Sequence, residues 1–302
     1  MHLTTLHPNP PYNFPQLLMV MQHYPYPAAE IVQDDAYYRV LSAGDGLALI
    51  CVRSVGSVEA PALEVELLAQ EGEIDQDALI ETLNRVIAVD ADRASFFDFA
   101  RHDPALWRTI EPLYGIPMIC TPTVFDALVQ AIIEQHIAWK AARRATQWLM
   151  HWADRCIVYE GQTFYTPPTP AQIAAAQPNE LKPLKITNKR IALLIDFAQQ
   201  IESGALDLDG IAALPPAEAT AALIKLHGIG RWTAAVILSR AVGLFDAITD
   251  TDVALQAAVN WYLQGENGRM SPADLREALS AYGEYAGLAG SYILHRWVLD
   301  RY

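Results

Sequence analysis

Leu226-His227-Gly228-Ile229-Gly230-Arg231-Trp232-Thr233-Ala234, with Asp252 downstream, is the stretch that decides the fold. The run before it, PPAEATAALIKL at 215–226, opens with proline and repeats Ala219, Leu223 and Leu226 at helical spacing, which predicts a helix over 216–226. A second helix is expected over 232–242. Between them, two glycines are free to take positive φ and place no Cβ between the backbone and an approaching group. The next helix then points its unpaired N–H groups outward. The arrangement reads as an anion site made of main chain. Glycine pairs alone more often cap helices. Here Leu226 and Ile229 bracket the turn with apolar anchors, Arg231 adds a cation, and Thr233 with Ala234 lets two helices pack closely.

Bulk properties set the frame. The chain has 302 residues, 52% of them hydrophobic and 19% charged, enough for more than one core. The apolar run at 17–21 is short, follows Pro15 and lacks a basic leader, so no membrane span or signal peptide is expected and a cytoplasmic location is. Cys51, Cys120 and Cys156 are too few and too scattered for a disulfide framework or a four-thiolate iron–sulfur cluster. His136, His151, His227 and His295 lack metal-ligand spacing, so no catalytic metal is expected. The net charge of −14 is uneven: residues 1–121 hold 17 acidic and 6 basic side chains, and residues 122–302 hold 18 and 15. Long-range attraction of a polyanion is therefore weak, and phosphate affinity must come from local contacts. Candidates are the hairpin amides, Arg231, and the cluster Lys182, Lys185, Lys189 and Arg190, which reads equally as a solvated helix end.

Along the chain, strand-like runs at 38–41 and 47–52 are separated by Gly44-Asp45-Gly46 and followed by Val55-Gly56-Ser57, the pattern of an antiparallel meander. Helical segments flank it at 16–23 and 77–89. Beyond Pro117 the pattern is helical without convincing strands, starting at the cap-plus-proline signal Thr121-Pro122. The expectation is an α+β N-terminal domain over 1–118, an antiparallel sheet with flanking helices. An all-α domain over 119–302 follows, with two helical subdomains around a cleft.

The hairpin wording, LHGIGRWTA, resembles the helix-hairpin-helix DNA glycosylases, in the 3-methyladenine DNA glycosylase II (AlkA-like) branch. Pro10-Pro11-Tyr12, Tyr37-Tyr38-Arg39, FDALVQAIIEQHI at 125–137 and the segment 291–297 resemble that family in the same order. The resemblance implies a monofunctional glycosylase that flips alkylated purines out of duplex DNA, excises them in base excision repair and leaves an abasic site. It also implies Asp252 as the catalytic carboxylate, with Leu255 three positions on. Asp250, with Val253, fits the shorter spacing of the cluster-bearing branch. An aspartate before a helix is by itself usually an N-cap. Trp232, Trp297 and Tyr292 are the implied walls of the base pocket, although Trp232 also reads as a packing residue. Gly228, Ile229, Gly230, Arg231, Thr233, Gln135, His136, Lys189 and Arg190 are the implied DNA contacts, His136 at the wedge position. A sodium or potassium ion on the carbonyls of Leu226 and Ile229 follows from the resemblance alone.

The chemistry needs little more than one fixed anion. Breaking an N-glycosidic bond builds positive charge on the sugar, and a purine alkylated at N3 or N7 already carries charge and leaves without an acid. Superfamily members that also cut the strand place a lysine where this chain has Trp232, so no lyase activity is expected. Val236 stands where the family places a pocket tyrosine, and Val20 or Met21 where it places a phenylalanine, which implies a wider, less aromatic pocket. The alternatives are a glycosylase for deaminated or oxidised purines, a non-catalytic binder of distorted DNA, and a hydrolase of small nucleosides. The expected protein is a monomer on double-stranded DNA, at the nucleoid if the cell is prokaryotic.

Overall fold

The computed structural model describes residues 1–24, 29–245 and 249–301. Its N-terminal part is a five-stranded antiparallel sheet of β1 (His2–Leu6), β2 (Ile31–Gln33), β3 (Ala36–Ala43), β4 (Gly46–Ser54) and β5 (Leu63–Glu71), in spatial order β1-β5-β4-β3-β2. The β3–β4 pairing runs from Ala36↔Arg53 to Ala43↔Gly46, closed by Gly44 at φ +66 and Asp45. Helices α1 (Phe14–Gln22), α2 (Gln76–Val86), α3 (Ala94–Ala100) and α4 (Pro104–Ile110) accompany it. Asp75 and Asp103 cap α2 and α4 through their carboxylates. Arg39, 1% exposed, is held by the Tyr37 hydroxyl at 2.9 Å and the Glu30 carboxylate at 3.0 Å, so its buried charge is paired.

The helical part begins with α5 (Val124–Glu134) and α6 (Trp139–Ala153). The α5 start lies two residues beyond the expected Thr121-Pro122 signal. Thr123 and Asp126 form a reciprocal capping box there, at 3.0 and 3.2 Å, while the Thr121 hydroxyl turns to the Thr123 carbonyl. The expectation of no strands beyond Pro117 also fails. β6 (Cys156–Tyr159) and β7 (Gln162–Tyr165) form a hairpin, turned by Glu160 at φ +49 and Gly161 at φ +80. A lone two-stranded ribbon is marginal in water; this one is sustained because Ile157 and Phe164 pack on Val40 and Leu49 of the sheet.

There follow α7 (Pro170–Ala175), α8 (Asn188–Glu202), α9 (Leu208–Ala212), α10 (Pro216–Ile224), α11 (Arg231–Val242), α12 (Val253–Val259), α13 (Pro272–Ser280) and α14 (Ala286–Leu299). Between α12 and α13 lies a π-helical turn, Asn260–Gln264. Two main hydrophobic cores organise these elements. One joins the sheet and α1–α4 to Leu255, Ala258 and Val259 of α12 and to the buried faces of α13 and α14. The other is built from α5–α11. The last helices therefore pack on the first part of the chain, and Asp252, at the head of α12, lies where the chain passes from one core to the other. No helix among the described residues is long and apolar enough to cross a membrane.

Candidate active site

The hairpin between α10 and α11 is closed by the Ile229 N–H donating to the Leu226 carbonyl at 3.2 Å, with the Ile229 side chain 4% exposed in the helical core. The two glycines do different work. Gly228 sits at φ +80, where a Cβ would also fall 2.6 Å from Leu193 Cδ2. Gly230 does not use its freedom for positive φ: at φ −92 and ψ 178 it is extended backbone, and a Cβ there would meet nothing within 4 Å. Its value is an open approach to the first turn of α11, which has no side-chain cap bond. The N–H groups of that turn are left for an external acceptor. Arg231 is exposed beside them.

Gln135 and Arg190 have partners within the protein. Gln135 donates from Nε2 to the Gly228 carbonyl at 3.2 Å and to the Thr233 hydroxyl at 3.0 Å, fastening the end of α5 to the hairpin. Arg190 donates to the carbonyls of Ile133 and Gln135, and burial pushes its guanidinium pKa down. Both residues thus shape the loop that presents His136, which is exposed at φ +55. Thr233 is buried as the acceptor of Gln135. Lys189 remains exposed at the start of α8.

Asp252 is both cap and tether. Oδ1 accepts the N–H groups of Ala254 and Leu255 at 2.8 and 3.0 Å, and Oδ2 accepts the Trp232 indole N–H at 2.9 Å. The carboxylate is thereby tied to the residue two positions after Gly230, at the positive end of α12. Asp250 is engaged elsewhere, in an ion pair with Arg276 of α13, while its carbonyl accepts from Gln256 at 2.8 Å.

Behind this pair lies a polar wall that the sequence reading missed. Trp232, Val236 and Arg240 follow at four-residue intervals and share one face of α11. Arg240 grips Glu134 at the end of α5 through two bonds of 2.7 and 2.8 Å. Burial pushes the Arg240 guanidinium pKa down, but Glu134 and the charge of Asp252 more than restore it, so the net shift is upward. His295 hydrogen-bonds through Nδ1 to the Ser291 carbonyl at 3.0 Å. Burial, with the nearby Arg240 charge, pushes its imidazole pKa down, against the Ser291 bond. The four-residue spacing from Trp232 was the available signal for Arg240.

Tyr292 and Trp297 have partners of their own. Tyr292 is fully buried, donating its hydroxyl to the Ile116 carbonyl at 2.7 Å and stacking on Phe96; its position on α14 turns it into the first core. Trp297 meets Tyr262 edge-on at 6.2 Å and lies under Arg301. Tyr262 is ten residues beyond Asp252, roughly 15 Å along the same helix. Of the three aromatic candidates, Trp232 is hydrogen-bonded to Asp252. No group of three or more His, Cys, Asp or Glu side chains that could hold a metal occurs among the described residues.

No family model matches the chain. It is 23% identical over 265 residues to a DNA-3-methyladenine glycosylase of Bacillus subtilis, covering 87% of this chain and 86% of that one. A 3-methyladenine DNA-glycosylase structure from Archaeoglobus fulgidus superposes with a TM-score of 0.81 at 20% identity, covering 99% and 98% of the two chains. An 8-oxoguanine glycosylase/lyase from Clostridium acetobutylicum gives 0.71 at 17% identity, covering 95% and 93%. At these identities the solved structures establish the fold.

Proposed function

We propose that this member of the helix-hairpin-helix DNA glycosylase superfamily is a monofunctional DNA N-glycosylase that removes alkylated purines from duplex DNA and leaves an abasic site. One observation carries the reading. The Trp232 indole N–H, one residue into the helix that opens at the glycine hairpin, holds the Asp252 carboxylate at 2.9 Å. The glycine hairpin and the anion are thus tied together by one side-chain bond.

In this reading the free amides after Gly230, with Arg231, hold a phosphate of the damaged strand. His136, raised on its left-handed backbone, fills the gap left by the extruded nucleotide. Asp252 stabilises the developing oxocarbenium ion. Three N–H donors keep it pointed, as a fixed electrostatic stabiliser requires. The indole of Trp232 offers its face to a cationic base, a cation–π contact of about 1–2 kcal/mol when desolvated. Trp232 carries no amine, so the strand stays intact. The carbonyls of Leu226 and Ile229 lie at the turn and would hold a monovalent cation, which would rigidify the hairpin.

A second reading, excision of deaminated or oxidised purines, is favoured by the Glu134–Arg240 pair and His295, which suit a base read by hydrogen bonds. One assay decides both. Wild-type protein and Asp252→Asn are incubated with methylated, hypoxanthine-containing and 8-oxoguanine-containing duplexes, and the released base and strand integrity are recorded. The proposal expects a methylated purine, an intact strand, and a variant that binds duplex but releases less than about a hundredth as much base. An active Asp252→Asn, or strand scission, refutes it.

A further inference from the structure

The helix that starts at Asp252 ends in a π-helical turn, Asn260–Gln264, a local widening that frequently marks functional positions. The turn sends Trp261 outward, 44% exposed. With Tyr262, Gly265, Arg108 and Thr109 of α4, and Arg296 of α14, Trp261 lines a cavity of about 410 Å³. That volume falls in the range of about 300–1,000 Å³ that accommodates small organic ligands. Trp261 lies nine residues from Asp252, roughly 14 Å along the helix, so this cavity is separate from the site above.

Its chemistry is specific. Arg108 is exposed and has no ion pair among the described residues. Arg296 is oriented by Asp300 at 3.0 Å, and the second oxygen of Asp300 accepts the Tyr262 hydroxyl at 2.5 Å. Two guanidiniums thus line the cavity, and only that of Arg296 is paired with a carboxylate, in a protein whose net charge is −14. Burial, then Asp300, pushes the Tyr262 hydroxyl up to about 12, so it stays a neutral donor locked on Asp300. The Thr109 hydroxyl is spent on the Ala105 carbonyl at 2.8 Å and retains acceptor capacity toward the cavity. An indole face beside one free and one half-committed guanidinium suits a flat aromatic ring carrying an anionic group. A bare anion would leave the indole unused, and an uncharged ring would leave Arg108 unused.

We propose that this cavity is a nucleotide-binding site, with the base stacked on Trp261 and the phosphate on Arg108 and Arg296. The nucleotide comes either free or as part of a DNA strand. The full-length protein is titrated calorimetrically with deoxyadenosine 5′-monophosphate, deoxyadenosine, inorganic phosphate and a short single-stranded oligodeoxynucleotide. Trp261→Ala and Arg108→Glu are titrated in parallel, with thermal melts as folding controls; both side chains are exposed. The proposal expects the monophosphate to bind at least about tenfold more tightly than deoxyadenosine or phosphate, and each variant to lose about tenfold or more. Binding of the oligonucleotide alone, weakened by the same variants, also supports the site and assigns it to a strand. Variants that bind like wild type, or no binding of either nucleotide ligand, overturn it. Base release is read in a separate assay, so failure here leaves the function proposed for Asp252 untouched.

Discussion

Replacing each hairpin glycine by alanine separates what the turn needs to fold from what it needs to bind. At Gly228 the backbone is left-handed, which costs a non-glycine residue about 1–2 kcal/mol. The new methyl would also stand 2.6 Å from Leu193 Cδ2, and forcing that side chain aside adds about 1–3 kcal/mol of overpacking. Gly228→Ala should therefore lose roughly 2–5 kcal/mol in urea unfolding, and Leu193→Ala in the same chain should restore part of it. At Gly230 the dihedrals suit any residue and nothing lies within 4 Å. A gain of about 0.4–1 kcal/mol from a stiffer unfolded chain offsets a loss of similar size from a poorer N-cap. Gly230→Ala should melt like wild type. Its methyl, however, would stand in the path of a phosphate oxygen, and losing even one charge-assisted hydrogen bond of about 1.5–3 kcal/mol weakens binding roughly 10- to 100-fold. The assays are urea denaturation and fluorescence anisotropy with a duplex at fixed salt. Wild-type affinity in a folded Gly230→Ala would refute the hairpin as the phosphate grip, and an undiminished stability of Gly228→Ala would refute the account of the turn.

Three further outcomes follow from named contacts. Trp232→Phe keeps the ring but removes the 2.9 Å donor to Asp252, and should slow single-turnover base release by roughly 5- to 30-fold with little change in duplex affinity; an unchanged rate would mean the indole does not orient the carboxylate. Asp126 is buried, and that burial, against the Thr123 bond and the Arg39 charge, raises its carboxyl from 3.8 to about 6. The folded state holds this proton more tightly than the unfolded one, so this contribution to stability falls as pH rises from about 4 to 6 and amounts to on the order of 3 kcal/mol lost above that window. Urea unfolding of Asp126→Asn should show this slope flattened, and an unaltered slope would contradict the assignment. Tyr292→Phe strands the Ile116 carbonyl that it serves at 2.7 Å and should cost about 1–3 kcal/mol of stability while leaving base release per folded molecule unchanged; a selective loss of catalysis would return Tyr292 to the base pocket.

Local patterns carried most of the fold. Glycine turns and the strand-like runs at 38–41 and 47–52 placed the centre of the meander, and prolines and aspartates placed helix starts to within a few residues, because such signals act between neighbours in the chain. The β6–β7 hairpin escaped because its strands are short and its support, Val40 and Leu49, lies more than a hundred residues earlier. Among site residues, the glycine hairpin and Asp252 were legible as sequence, whereas the bond from Trp232 that unites them spans 20 residues and exists only in the folded chain.

The amino-acid sequence by itself determined the helix-turn-helix with its open amides and the capping position of Asp252, since dihedral freedom, helix periodicity and capping are properties of adjacent residues; the family resemblance, not the local pattern, singled that aspartate out as the candidate carboxylate. Only the tertiary structure decided which partners those residues have. It committed Gln135 and Arg190 to holding a loop, tied Asp250 to Arg276, sank Tyr292 into the first core and joined Arg240 to Glu134 within reach of the Asp252 charge. Helix rotation and the packing of segments far apart in the chain, α14 on α3 and α4 and α11 on α5, set those contacts, and no short-range pattern encodes either.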